Sequence, residues 1–146
     1  MIKFIFLTFI IFLSCNNPKS ENKREIDTIE ILAAEFKKFY VNGNSNEIIK
    51  MVDFSETPKK LKLEYINILS NFSGINNSTS CNIIIEDARN VEIKEPKIQG
   101  FNNIIWAQKP SHNICLHLIN KNDNIEGVIK IPAYQINGMW FLAGIK

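Results

Sequence analysis

The side chains able to carry chemistry are few and scattered. Two histidines, His112 and His117, and two thiols, Cys81 and Cys115, stand in the second half of the chain. Cys115-Leu116-His117 sets a thiol two residues from an imidazole, which puts both on one face if the segment is a strand. A Cys–His nucleophile pair also needs a third group to orient the imidazole, and none is evident. Zinc asks for three or four ligands, and two histidines without spaced acids or thiols do not supply them. The chain has no Gly-rich phosphate loop and no Gly-x-Ser-x-Gly elbow. Glu86, Asp87, Glu92 and Glu95 are the acids of strand-like stretches, and a pocket carboxylate facing a hydrogen-bond donor would be an acid–base site. Asn-Val-Glu-Ile-Lys-Glu at 90–95, however, alternates charged with apolar residues, the pattern of a solvated sheet face. Trp106, Trp140, Tyr40, Tyr65, Tyr134 and the six phenylalanines after residue 14 could line a pocket, but aromatics at helix and strand spacing read first as core. No catalytic residue, no metal ligand and no cofactor site is assigned.

Charge excludes a further class. The formal net charge is +2, and removing residues 1–14 leaves 16 basic against 15 acidic side chains. That balance carries neither the basic stripe of a nucleic-acid binder nor a polybasic patch for anionic lipid.

The one cysteine in a chemically legible setting is Cys15. Lys3 is followed by ten residues, Phe4–Leu13, apolar except for Thr8, and then by Ser14-Cys15. The run has the length of a secretory hydrophobic region and is too short to span a bilayer. Phe12-Leu13-Ser14-Cys15 resembles the lipobox of bacterial lipoproteins, although the leucine stands one position nearer the cysteine than is usual. The resemblance implies that the Cys15 thiol receives a diacylglycerol, that residues 1–14 are cut away, and that the freed amine is acylated. It places the chain in the bacterial cell envelope, lipid-anchored, with its domain facing the periplasm or the cell surface. Each buried methylene contributes about 0.8 kcal/mol and one acyl chain holds only marginally, so the multiple chains of a lipoprotein make a firm anchor. Asn16–Glu25 has no apolar residue but Pro18. It cannot bury enough surface to fold and reads as a solvated tether, spanning roughly 35 Å when stretched. The organisation is therefore a signal at 1–14, an anchored tether at 15–26 and a single domain at 27–146. Export also gives Cys81 and Cys115 two readings, a disulfide or two buried free thiols.

Helical signals come first in the domain. Asp27 with Glu30 has the spacing of a capping box, Ile26 and Ile31 that of a hydrophobic staple. Ile29, Leu32, Ala33, Phe36, Phe39 and Tyr40 make one apolar face, which Gly43 closes. A short helix follows over 45–53. Thr57-Pro58 starts a third, with Thr as cap and Pro at the first helical position, and Leu61, Tyr65, Ile68, Leu69 and Phe72 as its stripe. Gly74–Ser80 reads as a loop. Strands are expected over 82–88, 90–95, 104–108, 113–119, 125–135 and 139–145, with turns at 109–112 and 121–124. Asn137-Gly138 is a two-residue hairpin signal that pairs Ile136 with Met139, Tyr134 with Phe141, Pro132 with Ala143, Gln135 with Trp140 and Ala133 with Leu142. The class is α+β, with two to three N-terminal helices packed on a curved, mainly antiparallel sheet of about four to six strands.

The helix ending Phe39-Tyr40-Val41-Asn42-Gly43-Asn44, the short helix Glu47–Val52 and the closing hairpin Ile136–Leu142 resemble the cone-shaped domains of the nuclear-transport-factor-2-like superfamily, which includes ketosteroid isomerases. The resemblance implies a sheet curved around a long helix to leave a conical pocket. Members serve as enzymes, ligand binders and interaction modules, so the fold alone does not settle function. The leading expectation is a non-enzymatic envelope domain that binds a small apolar ligand or another envelope protein. The alternatives are a pocket enzyme of the isomerase or dehydratase kind, and a toxin or protease antagonist.

Overall fold

The computed structural model describes residues 26–71 and 80–146; the signal, Cys15, the tether up to Glu25, Phe72 and the stretch 73–79 lie outside the described residues. Three helices, α1 (Ile29–Val41), α2 (Ser45–Lys50) and α3 (Lys59–Ser70), precede four strands, β1 (Ser80–Asp87), β2 (His112–Ile119), β3 (Ile125–Ile136) and β4 (Met139–Leu142). The strands form one antiparallel sheet in the order β1-β2-β3-β4. This is an α+β chain with helices packed on a sheet, as expected.

Helix α1 begins one residue later than the capping-box spacing implied. Thr28 is its cap, the hydroxyl accepting from the Ile31 amide at 3.3 Å, and Asp27 is exposed. Ile31 is exposed as well, outside the core that takes in Ile26. Ile26, grouped with the tether by composition, is instead buried, and its carbonyl accepts from the Trp140 amide at 2.7 Å. At the other end Gly43 takes φ +65°. The Asn44 amide reaches the Phe39 carbonyl at 2.8 Å and the Gly43 amide reaches that of Tyr40 at 3.1 Å, the paired bonds of a Schellman close. The turn from α1 into α2 thus follows from one residue that tolerates a positive φ.

Asn44 caps α2, which stops at Lys50 because Val52 leaves it to form a parallel bridge with Leu142. Thr57 does not cap α3. Its hydroxyl donates to the Ile145 carbonyl at 2.6 Å, and Pro58 stands at the cap position without a side-chain bond. A tertiary acceptor has taken the group that local sequence offered to the helix.

The hairpin follows its sequence signal. Asn137 and Gly138 both have positive φ, 51° and 84°, as a type I′ turn requires, and the expected pairs from Ile136–Met139 to Ala133–Leu142 are present, while the expected Pro132–Ala143 pair lies beyond the end of β4 and keeps only the bond from the Ala143 amide to the Pro132 carbonyl at 2.8 Å. The core face of the sheet carries Ile83, Ile85, Ile114, Leu116, Ile129, Ile131 and Leu142, against which α1 lays Ile29, Leu32, Phe36 and Phe39. The described core draws only on residues between Ile26 and Ile145.

Two expected strands are absent. Residues 90–95 have no ladder partner, because the chain turns away from β1 at Asp87–Asn90 and meets Trp106 through the Lys94 carbonyl and the Glu95 carboxylate instead. Residues 104–108 make only a bridge, Trp106 with Ile145. The expected last strand ends at Leu142, and residues 143–145 run on as a buried segment held from several sides, with Lys146 exposed after them. Ile105 and Lys146 exchange backbone bonds, Ala107 donates to Gly144, and Tyr65 donates to the Ala143 carbonyl at 3.1 Å. The expected turn at 109–112 is also shorter, since His112 already opens β2 opposite Asp87.

Candidate functional site

The sequence-derived candidates do not converge. Cys81 points to the core face and Cys115 to the outer face, and both thiols are free and buried. Cys81 pairs with Leu118 while Cys115 pairs with Ile84, three rungs apart. Three rungs correspond to about 10 Å along a strand, beyond the roughly 7 Å a disulfide can bridge. Of the two readings, the structure gives the free thiols.

Around Cys115 the outer face carries a small polar network. Lys130 donates to both oxygens of Glu86 at 3.0 Å, and Asn113 reaches the same carboxylate at 3.4 Å. The Lys130 bond is the main reason the Glu86 carboxyl titrates below its usual range. Burial, followed by the neighbouring Glu86 carboxylate, pushes the Cys115 thiol up to about 11, which makes it a poor nucleophile at neutral pH. His117 shares this face two residues on, as expected, between Asn82 and Val128 across the sheet. Ile84 and Val128 stand 45% and 43% exposed beside it. No buried side-chain polar atom among the described residues lacks a partner, and none of their His, Cys, Asp and Glu groups could hold a metal ion.

His112 belongs to a second cluster, on the other face. Its Nδ1 lies 3.0 Å from the Ser111 hydroxyl and its Nε2 lies 3.9 Å from Asp87. Asp87 is already clasped by Arg89, whose side chain and backbone amide hold its carboxyl down at about 2. A carboxylate so engaged is not free to orient the imidazole as a base, and the His112 ring packs edge-on against Trp140 at 5.1 Å instead. Glu92 is exposed, and Glu95 spends its carboxylate on the Trp106 amide.

What the structure does bring together is an open cleft of about 870 Å³ where α1, α2, α3 and the edge of β4 meet. Because β4 is the edge strand, residues from both of its faces reach the cleft: Trp140 from the core side and Phe141 from the other. Phe39 of α1, Ile49 of α2, Phe54 of the following turn and Ile66 of α3 complete the apolar wall. Phe54 is fixed by an edge contact with Tyr65 at 6.0 Å, and burial pushes the Tyr65 hydroxyl up to about 12. The Asp53 carboxylate closes the floor. It accepts from the Ser55 amide at 3.0 Å and from the Tyr134 hydroxyl at 2.9 Å. That phenol is raised above its ordinary value by burial first and by Asp53 next, so it stays a donor.

The rim is charged. Glu47 holds Lys50 at 2.7 Å and Glu35 meets Lys38 at 3.4 Å. Lys62 stands over the Phe54 ring at 5.0 Å, a cation–π placement. Sequence reading named Trp140 and the phenylalanines among the possible pocket aromatics but not the cleft itself, whose walls come from four separate elements.

Comparison of the chain with protein-family models, with curated proteins and with solved structures finds no match.

Proposed function

We propose that the chain is a bacterial envelope lipoprotein, tethered through lipid on Cys15, whose domain binds small apolar or aromatic molecules in the β4-edge cleft. The observation that carries the binding site is the cleft itself: an open space of ligand size lined by Phe39, Phe54, Trp140 and Phe141, with an ordered polar floor at Asp53. Aromatic and aliphatic walls with a few placed polar groups are the usual make-up of a small-molecule site. The core face of the sheet, where a conical pocket would open, is occupied by the side chains of α1. That favours binding at the edge over chemistry within the sheet. The relation to the nuclear-transport-factor-2-like superfamily is proposed on the order of elements, helices first and an antiparallel meander after. The anchor is proposed on the lipobox residues alone; no helix of the described residues is long and apolar enough to cross a membrane.

The test uses the chain from residue 16 onward, which keeps every described core residue. The neutral fluorophore N-phenyl-1-naphthylamine is expected to bind and to change Trp140 emission, and Ile66→Asp, on the half-buried cleft wall, is expected to weaken it at least tenfold. No binding, or binding indifferent to Ile66→Asp, would refute the site. For the anchor, mass spectrometry of the protein from cells should find a lipidated N-terminal Cys15, and Cys15→Ala should stay unprocessed or mislocalise. Normal processing to a soluble, unlipidated product would refute the anchor.

A second reading, binding of another envelope protein, is favoured by the exposed Ile84 and Val128 on the outer sheet face. Two isolated apolar side chains make a far smaller patch than a stable interface needs, so the cleft takes precedence.

A further inference from the structure

We propose that the chain self-associates through the β1 edge of its sheet. β1 pairs antiparallel with β1 of a second copy about a twofold axis at Ile84, which joins two four-stranded sheets into one. The surface is remote from the cleft, at the opposite edge of the sheet.

The two edges of the sheet are finished differently. β4 has four residues, and its outward backbone groups are spent: the Trp140 amide on Ile26, the Leu142 amide on Met51 and the Leu142 carbonyl on the Asp53 amide. β1 has eight residues, pairs with β2 without a bulge, and contains no proline and no lysine. Short strands, lysine, proline and bulges are the devices that keep an edge from pairing. The bonding parity of the sheet fixes which groups β1 presents. The Ala88 amide donates to Ser111 and the Ala143 amide to Pro132, so even-numbered residues of β1 bond β2 and odd-numbered ones face outward. Among the described residues, no backbone group bonds the outward amides and carbonyls of Cys81, Ile83 and Ile85, while the Asp87 carbonyl takes the Asn90 amide at 3.0 Å.

A second copy fits that edge because the strand complements itself. With Ile84 on the axis, Ile83 exchanges backbone bonds with the partner's Ile85, Ile85 with the partner's Ile83, and Cys81 stands opposite the partner's Asp87. On the outer face Ile84, 45% exposed in the single chain, meets the partner's Ile84. Asn82 beside it faces the partner's Glu86, an amide donor against a carboxylate. The acidic end of the strand, Glu86-Asp87, thus lies against uncharged residues, whereas a parallel pairing would set acid against acid. A shift of two residues either way puts Ile84 opposite Asn82 or Glu86 and shortens the ladder. The pairing rests on backbone bonds with one apolar contact at its centre, so the interface is small and the dimer weak.

Sedimentation equilibrium of the chain from residue 16 onward, in reducing buffer, is expected to show a monomer–dimer equilibrium with a dissociation constant of about 100 µM. Ile84→Lys, at an exposed site, sets like charges together on the axis and should weaken the dimer at least about tenfold. Far-UV circular dichroism checks that this variant folds. Cross-linking reads the register. Ile84→Cys places two thiols on the axis with Cα atoms about 4.5 Å apart, within disulfide reach, and should give a covalent dimer under mild oxidation. Asn82→Cys, whose two copies lie about 13 Å apart along the strands, should not. Hydrogen exchange at the Ile83 and Ile85 amides separates the occupants: protection that rises with protein concentration supports the second copy. Protection equal at all concentrations would show the edge covered within one molecule and overturn the proposal. A chain monomeric up to about 1 mM, a dimer indifferent to Ile84→Lys, or cross-linking through Asn82→Cys in place of Ile84→Cys would overturn it as well.

Discussion

Gly144→Ala should be the most damaging one-methyl change in the described fold. A Cβ at Gly144 would lie 1.7 Å from the Asp53 carbonyl oxygen and 2.9 Å from its carbon. Both are backbone atoms and cannot rotate away, so the 143–146 segment and the 51–55 turn must part by about 1.5 Å to reach ordinary contact. That movement strains the Ala107–Gly144 bond at 2.9 Å, the Thr57–Ile145 bond at 2.6 Å and the Tyr65–Ala143 bond at 3.1 Å. Over-packing of this kind costs about 1–3 kcal/mol, and each of the three weakened bonds about 1 kcal/mol more, so a loss of about 4–6 kcal/mol is expected. That is a large share of the roughly 5–15 kcal/mol a domain has to lose. Urea unfolding followed by tryptophan emission measures it. Gly127→Ala is the control, because its Cβ would meet only Leu118 Cδ1 at an ordinary 3.8 Å, and it should change stability by less than about 1 kcal/mol. Since Asp53 also lines the cleft, Gly144→Ala should weaken probe binding in molecules that remain folded. A Gly144→Ala cost below about 1 kcal/mol, or no larger than that of Gly127→Ala, would refute the close approach.

Three further outcomes follow from the same contacts. Tyr134→Phe removes the donor to Asp53 and the acceptor of the Gly144 amide, and should cost about 1–2 kcal/mol in urea unfolding. In the folded chain at pH 8, Cys115 should react with a disulfide reagent at least about 100-fold more slowly than an unfolded thiol, because a pKa of about 11 leaves that much less thiolate. The folded value lies above the unfolded one, so its stabilisation is complete below pH 9 and is lost as pH rises towards 11; rapid labelling of native protein would contradict this. Asp87 is depressed to about 2 by Arg89, so its contribution is present above its ordinary pH of 3.8 and disappears as pH falls towards 2. Arg89→Gln should move the acid-unfolding midpoint to higher pH, and an unchanged midpoint would count against the clasp.

What was legible from sequence was whatever a few neighbouring residues decide among themselves. The Asn137-Gly138 turn set its own type and thereby the register of β3 with β4, because period-two alternation leaves one pairing once the turn is known. Gly43 closed α1 for a similarly local reason. The expectations that failed were those in which a distant group outbid a local one. Thr57 had a helix to cap and bonded Ile145 instead, 88 residues away. Residues 90–95 had strand alternation but no strand beside them, and alternation shows which side chains share a face without supplying a partner. Cys81 and Cys115 were undecided until register placed them on opposite faces.

The cleft lay beyond sequence reading for the same reason. Trp140, Phe54 and Phe39 are a hundred residues apart at the extremes, and nothing local distinguishes them from the core aromatics Phe36 and Tyr40. Only the end of the sheet at β4, an edge with both faces turned toward α1 and α3, makes a wall of them. Lys59-Lys60-Leu61-Lys62, by contrast, stands in the open. Placed after Thr57-Pro58 it puts three cations in the first helical turn, where the helix dipole favours acids. A local arrangement that opposes local stability asks for a compensating partner. Of the three lysines, the fold brings Lys62 to the Phe54 ring at 5.0 Å and Lys60 to the Phe101 ring at 5.7 Å, so two of them find aromatic partners from distant parts of the chain.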